Sequence, residues 1–135
     1  MEVKEAYCSF EVAKLLKEKG FDESIRCWYD NFQDFHEEGA RMSNTDCLPP
    51  TIMCPTHQMA CAWVRKKGYS VEVHATAVGW HWEVCKVNGT SIAFDDIVRA
   101  FDDNVSSDNT NDGGAFDDYD ECMESALMYT LTNLI

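Results

Sequence analysis

The strongest constraint on the fold lies at the end of the chain. Tyr119, Cys122, Met123, Ala126, Leu127, Thr130, Leu131 and Leu134 recur at three- and four-residue intervals, which puts them on one face of a helix over 118–133. Asp117, Asp118, Asp120 and Glu121 stand at its start, where carboxylates meet the positive end of the helix dipole. A helix with one apolar stripe must bury it against another layer, and the middle of the chain supplies that layer. Val71, Val73, Ala75 and Ala77 alternate with Glu72, His74 and Thr76, the period of a half-buried strand. Trp80, Trp82 and Val84 continue the alternation after a turn at 78–79. Asn88-Gly89 has type I′ hairpin chemistry, since both residues accept positive φ, and residues 90–94 return as a strand. The centre therefore reads as an antiparallel meander, and a short helix capped by Asp95 is expected at 95–101.

Two further helices carry complete start and stop signals. Ser9 caps a helix over 9–19, in which Phe10, Val12, Ala13, Leu15 and Leu16 form the apolar side and Gly20 ends it. Thr56 caps a helix over 56–67, with Met59, Ala60, Trp63 and Val64 apolar and Gly68 as the stop. The two share their caps and read as ordinary helices rather than as a duplicated unit. Residues 24–30 and 51–54 have strand composition. Residues 34–50 are polar, contain Gly39 and Pro49-Pro50, and read as a long hairpin or loop. The expected architecture is one α+β domain over 1–135. An antiparallel sheet of three or four strands carries about three helices packed mainly on one face, with an acidic loop at about 102–114.

Charge narrows the functional classes. The 135 residues carry a formal charge of −13, distributed unevenly: residues 1–94 hold 13 acids and 10 bases, residues 95–135 hold 11 acids and one base. Such a chain repels phosphate backbones, so nucleic-acid binding is disfavoured. A basic stripe of Lys14, Lys17, Arg65, Lys66 and Lys67, with Trp28, Trp80 and Trp82 stacking on bases, is the arrangement that would revive it. The opposite idea is that the acidic third mimics nucleic acid and binds a basic protein. No run approaches the roughly 20 apolar residues of a membrane span, and residues 1–6 lack a signal peptide's basic and apolar regions. The expected location is the cytoplasm, away from the membrane.

Seven cysteines without a CxxC pair read as reduced, buried hydrophobes. Cys47, Cys54, His57 and Cys61 are the right ligand types for zinc, and His57 and Cys61 fall at helical i, i+4, but the spacing departs from the usual knuckle. Asp108, Thr110 and Asp112 resemble the opening of a calcium loop, yet the twelfth position holds Tyr119 where a bidentate acid belongs. A nucleophilic pair of Cys85 with His74 or His81 is conceivable across the central hairpin, although no motif marks it. The chain contains no P-loop, GxGxxG, HExxH or nucleophile elbow. No enzyme activity and no cofactor are expected on these grounds.

Three segments in order, Ala13-Lys-Leu-Leu-Lys-Glu-Lys-Gly-Phe21, Cys54-Pro-Thr-His-Gln-Met-Ala-Cys-Ala-Trp-Val-Arg-Lys-Lys-Gly-Tyr-Ser-Val-Glu-Val73 and Tyr119-Asp-Glu-Cys-Met-Glu-Ser-Ala-Leu127, carry a resemblance. The chain is similar to a family of small α+β proteins of gut Bacteroides species and of their phages and mobile elements. Cys54 stands where that pattern has Ala, and Val64 where it has Leu. The resemblance implies an α+β fold and a phage or mobile-element setting, and it implies no activity and no site residue. The functional expectation is an accessory or interaction protein without catalytic activity that binds another protein, self-association being one form of this. The alternatives are the acidic mimic and a metal-binding or catalytic protein using the Cys/His set.

Overall fold

All three expected helices form, and each starts at a capping side chain, at Ser9 and Thr56 as expected and at Asp118 for the last. In the computed structural model, which describes residues 4–37, 39–77, 79–88, 91–99 and 116–135, α1 spans Phe10–Glu18, α2 His57–Lys66 and α3 Tyr119–Asn133. Ser9 Oγ accepts from the Val12 N–H at 3.2 Å, Thr56 Oγ1 from Met59 at 3.1 Å and Asp118 Oδ2 from Glu121 at 3.0 Å. Each bond satisfies a first-turn donor that would otherwise be orphaned. Gly20 takes the left-handed φ of 101° that ends α1, and Phe21 N–H folds back to the Leu16 carbonyl at 2.8 Å.

Within the span read as one domain, the residues group into two compact units, Met1–Ala60 and Cys61–Ile135, with the division inside α2. The first contains α1 and a small antiparallel sheet of β1 (Trp28–Tyr29), β2 (Phe35–His36) and β3 (Ile52–Met53), in the order β2-β1-β3. Val12, Ala13 and Leu16 bury the inner side of α1, which packs on β3, and Phe21, Ile25 and Met53 join this core. The segment 34–50 is more organised than its composition suggests. Besides β2 it makes a bridge from Met42 to Ile25, and the buried Asn44 amide uses both of its ends: Nδ2 donates to the Phe21 carbonyl at 2.8 Å and Oδ1 accepts from the Met53 N–H at 2.9 Å.

The second unit is the expected meander with α3 on one face. β4 (Tyr69–Thr76), β5 (Gly79–Asn88) and β6 (Ser91–Arg99) pair antiparallel in sequence order. The α+β class and a three-stranded antiparallel sheet are therefore as expected, and the first unit's sheet is an addition to that picture. Val71, Trp82 and Val84 are buried on the side that receives α3, where Trp82 Nε1 donates to Ser125 Oγ at 3.3 Å and its ring lies 5.3 Å from Tyr129. Cys122, Met123, Ala126, Leu127, Thr130 and Leu131 bury the expected stripe.

One element differs from expectation. Residues 95–99 continue β6 and do not form a helix: Ile97 and Val98 pair with Cys85 and Val84, while the register slips between Cys85 and Val87. Consecutive β-branched residues favour the pleated surface, and Asp95 and Asp96 fall in the stretch accommodated by that irregularity. The acidic loop at 102–114, with Asp108, Thr110 and Asp112, and the Gly89 position of the second turn lie outside the described residues. Among the described residues no helix is long and apolar enough to cross a membrane.

Candidate metal centre

The chain ahead of α1 runs beside the chain ahead of α2. Cys8 N–H donates to the Pro55 carbonyl at 3.0 Å, His57 N–H donates to the Ala6 carbonyl at 2.9 Å, and Tyr7 and Thr56 form an antiparallel bridge between them. The pairing sets a thiol and an imidazole at neighbouring helix starts, Cys8 just before the cap of α1 and His57 in the first position of α2. The Cys8 carbonyl accepts from Tyr29 Oη at 2.7 Å and from Cys54 Sγ at 3.1 Å, so the backbone carrying this thiol is held from two sides. Cys8 is fully buried and His57 is buried to 7 % exposure. Within the first unit these two residues therefore offer one sulfur and one ring nitrogen within 4.8 Å of one another.

This ligand set corrects the functional expectation. An accessory protein without catalytic activity has no need of a thiol and an imidazole buried side by side, where withdrawing them from water costs free energy that pairing or a metal must offset. The expectation of no enzyme activity is corrected on the same ground, because a closely placed thiol and imidazole are the donor types that metal-binding and catalytic sites use.

Of the zinc candidates named from sequence, only His57 belongs to this set. Cys54 donates to the Cys8 and Pro55 carbonyls, Cys47 donates to the Asn44 and Thr51 carbonyls, and Cys61 directs its thiol to Met123 Sδ at 3.5 Å. Burial pushes the Cys61 thiol up to about 11 and that of Cys122 to about 12, so both stay protonated near neutral pH. None of the seven cysteines is in a disulfide, and all are buried. Cys8 escaped sequence reasoning, because it looks like one more apolar cysteine.

The other sequence candidates disperse. His81 and Cys85 stand four residues apart on β5, about 13 Å along a strand, and His74 pairs with His81, so neither imidazole reaches the Cys85 thiol. Lys14 and Lys17 lie on α1, and Lys17 Nζ donates to the Thr51 carbonyl at 3.1 Å. Arg65, Lys66 and Lys67 are exposed at and beyond the end of α2, where Lys67 Nζ sits 5.0 Å over the Trp63 ring. The Trp rings named as base-stacking platforms are engaged in packing: Trp28 stacks on His36 at 4.0 Å, Trp80 meets Tyr119 edge-on and Trp82 is buried. A cavity of about 480 Å³ in the first unit, walled by Trp28, Met42, Leu48 and Met53, collects Cys47 but no histidine.

No protein-family model matches the chain, and no curated protein or solved structure matches it either.

Proposed function

We propose that the protein binds a divalent transition metal of the zinc class through Cys8 Sγ and a ring nitrogen of His57. The observation that carries this reading is the approach of these two buried donor atoms to within 4.8 Å of one another. In a tetrahedral zinc site with bonds of about 2.0–2.3 Å, donor atoms stand about 3.5 Å apart. The observed limit is compatible with that spacing after a small inward adjustment. Complete burial of Cys8 favours a ligand over a nucleophile, since an attacking sulfur must meet its substrate. Two protein donors leave tetrahedral positions for further ligands.

Cobalt(II) replacing zinc is the direct test. A thiolate ligand gives a sulfur-to-metal charge-transfer band in the near ultraviolet, and metal uptake should strengthen as pH rises because thiol and imidazole must shed their protons. We expect that band in the native chain, its loss in Cys8→Ser, and at least a tenfold weaker affinity in His57→Gln. Absence of the thiolate band in the folded native protein overturns the reading. So does a Cys8→Ser variant that keeps the band.

A further inference from the structure

The sheet of the second unit has two edges, and they are finished differently. β6 carries Asp95, Asp96 and Arg99, and its pairing with β5 slips between Cys85 and Val87; charges and irregularities of this kind hinder the addition of a further strand. β4 has neither device. It pairs with β5 in unbroken register from Tyr69↔Lys86 to Thr76↔Gly79 and contains no Pro, Lys or Arg. A regular edge of this kind is a template for another strand.

The direction of its backbone groups follows from β5. Trp80 N–H donates to the Phe116 carbonyl and the Trp80 carbonyl accepts from Phe116 N–H, both at 2.7 Å, so Ala75↔Trp80 is a pair without mutual backbone bonds. Such pairs alternate with bonded ones along an antiparallel ladder, which puts Val73↔Trp82 and Val71↔Val84 in the same class. The N–H and C=O groups of Val71, Val73 and Ala75 therefore point away from β5, along the outer edge of β4. Among the described residues no other backbone segment bonds to them.

We propose that this edge pairs with β4 of a second copy of the chain, antiparallel, about a two-fold axis at Val73. Charge selects the register. An axis at Glu72 sets two carboxylates opposite each other and an axis at His74 sets two imidazoles opposite each other, whereas an axis at Val73 sets Glu72 of each copy opposite His74 of the other. Both side chains are exposed, and an imidazole N–H donates to a carboxylate whether or not the ring is protonated. In this register the outward groups of Val73 bond their counterparts, and those of Val71 bond those of Ala75. The axis stands perpendicular to the sheet, so both copies carry α3 on the same side of one continuous sheet. The interface does not involve Cys8 or His57 and does not depend on that reading.

Sedimentation equilibrium of the native chain, together with amide hydrogen exchange in dilute and concentrated solution, tests this. A dimer is expected, with protection of the Val71, Val73 and Ala75 amides rising with protein concentration while the Glu72 and His74 amides, which face β5, stay protected throughout. Ala75→Pro removes an outward N–H at an exposed position and leaves the β4–β5 ladder intact, so it should weaken the dimer at least about tenfold in a folded chain. Glu72→Lys should weaken it at least about threefold, and combining it with His74→Glu should restore the dimer by reversing the pair. A chain that stays monomeric at millimolar concentration overturns the proposal. So does a dimer whose three outward amides exchange as they do in dilute solution, or one that the paired reversal fails to restore.

Discussion

The two units of this protein reach order by different routes. The second relies on repetition: strands of eight, ten and nine residues in register, with one helix laying a continuous apolar stripe on them. The first has strands of only two residues each, too short to specify a sheet by backbone pairing alone, and it is fixed by individual side chains. Asn44 ties the 34–50 segment to Phe21 and Met53, Asp22 holds Thr45 N–H at 2.8 Å, and Asp30 organises the turn between β1 and β2. Even their hairpins differ. The β4–β5 turn uses Gly79 at a φ of 140° with Thr76 Oγ1 donating to the Gly79 carbonyl, whereas the β1–β2 turn uses an aspartate that accepts from Phe32 and Asp34. Distributed packing tolerates local loss; a structure held by single side chains does not.

That contrast is open to test by substitution. The largest effect is expected from Trp82→Ala, which empties a side chain 1 % exposed between Tyr129 and Ser125. A loss of about 4 kcal/mol in urea unfolding is expected from vacated aromatic volume. Asn44→Ala comes next at about 3 kcal/mol, because it strands a buried carbonyl and a buried N–H together, though it removes far less apolar surface. If Asn44→Ala costs under about 0.5 kcal/mol, an ordinary surface value, the picture of a unit pinned by single hydrogen bonds fails.

The same contrast explains what could be read in advance. Repetition is visible in one dimension, so the α3 stripe, the β4 and β5 alternation and the caps Ser9 and Thr56 were all legible. Ile97 and Val98 were misassigned because Asp-Asp-Ile-Val fits a capped helix as well as a strand, and only pairing with Val84 and Cys85 decides between them. Asn44 resembled any loop asparagine, since its two partners lie 23 residues before it and nine after. The candidate metal centre was half legible. His57 stood out as an imidazole among cysteines, but its thiol partner is Cys8, brought near by pairing of segments 48 residues apart in sequence, while the nearer Cys54 and Cys61 turn to other acceptors. His74 and His81 were noticed individually, and their register converts two surface histidines into a pair.

The smallest effect concerns the aspartate that organises the first unit's turn. His36 Nε2 lies 2.8 Å from Asp30 Oδ2, and this contact, followed by the Asp34 and Phe32 backbone donors, holds the Asp30 carboxyl below the usual carboxylate range. A carboxylate whose folded-state pKa is depressed contributes stability above its unfolded value of about 3.9, and the contribution disappears as pH falls through the lower folded value. Asp30 is exposed to solvent screening, so global stability should change little and the turn itself must be read. Carboxyl carbon resonances should place the Asp30 midpoint below 3.9. His36→Gln should raise it, and the Phe32 and Asp34 amide protons should lose exchange protection over the same low-pH interval. A midpoint unmoved by His36→Gln would show that the backbone donors alone set the turn, and that the first unit depends less on paired side chains than the comparison with the second implies.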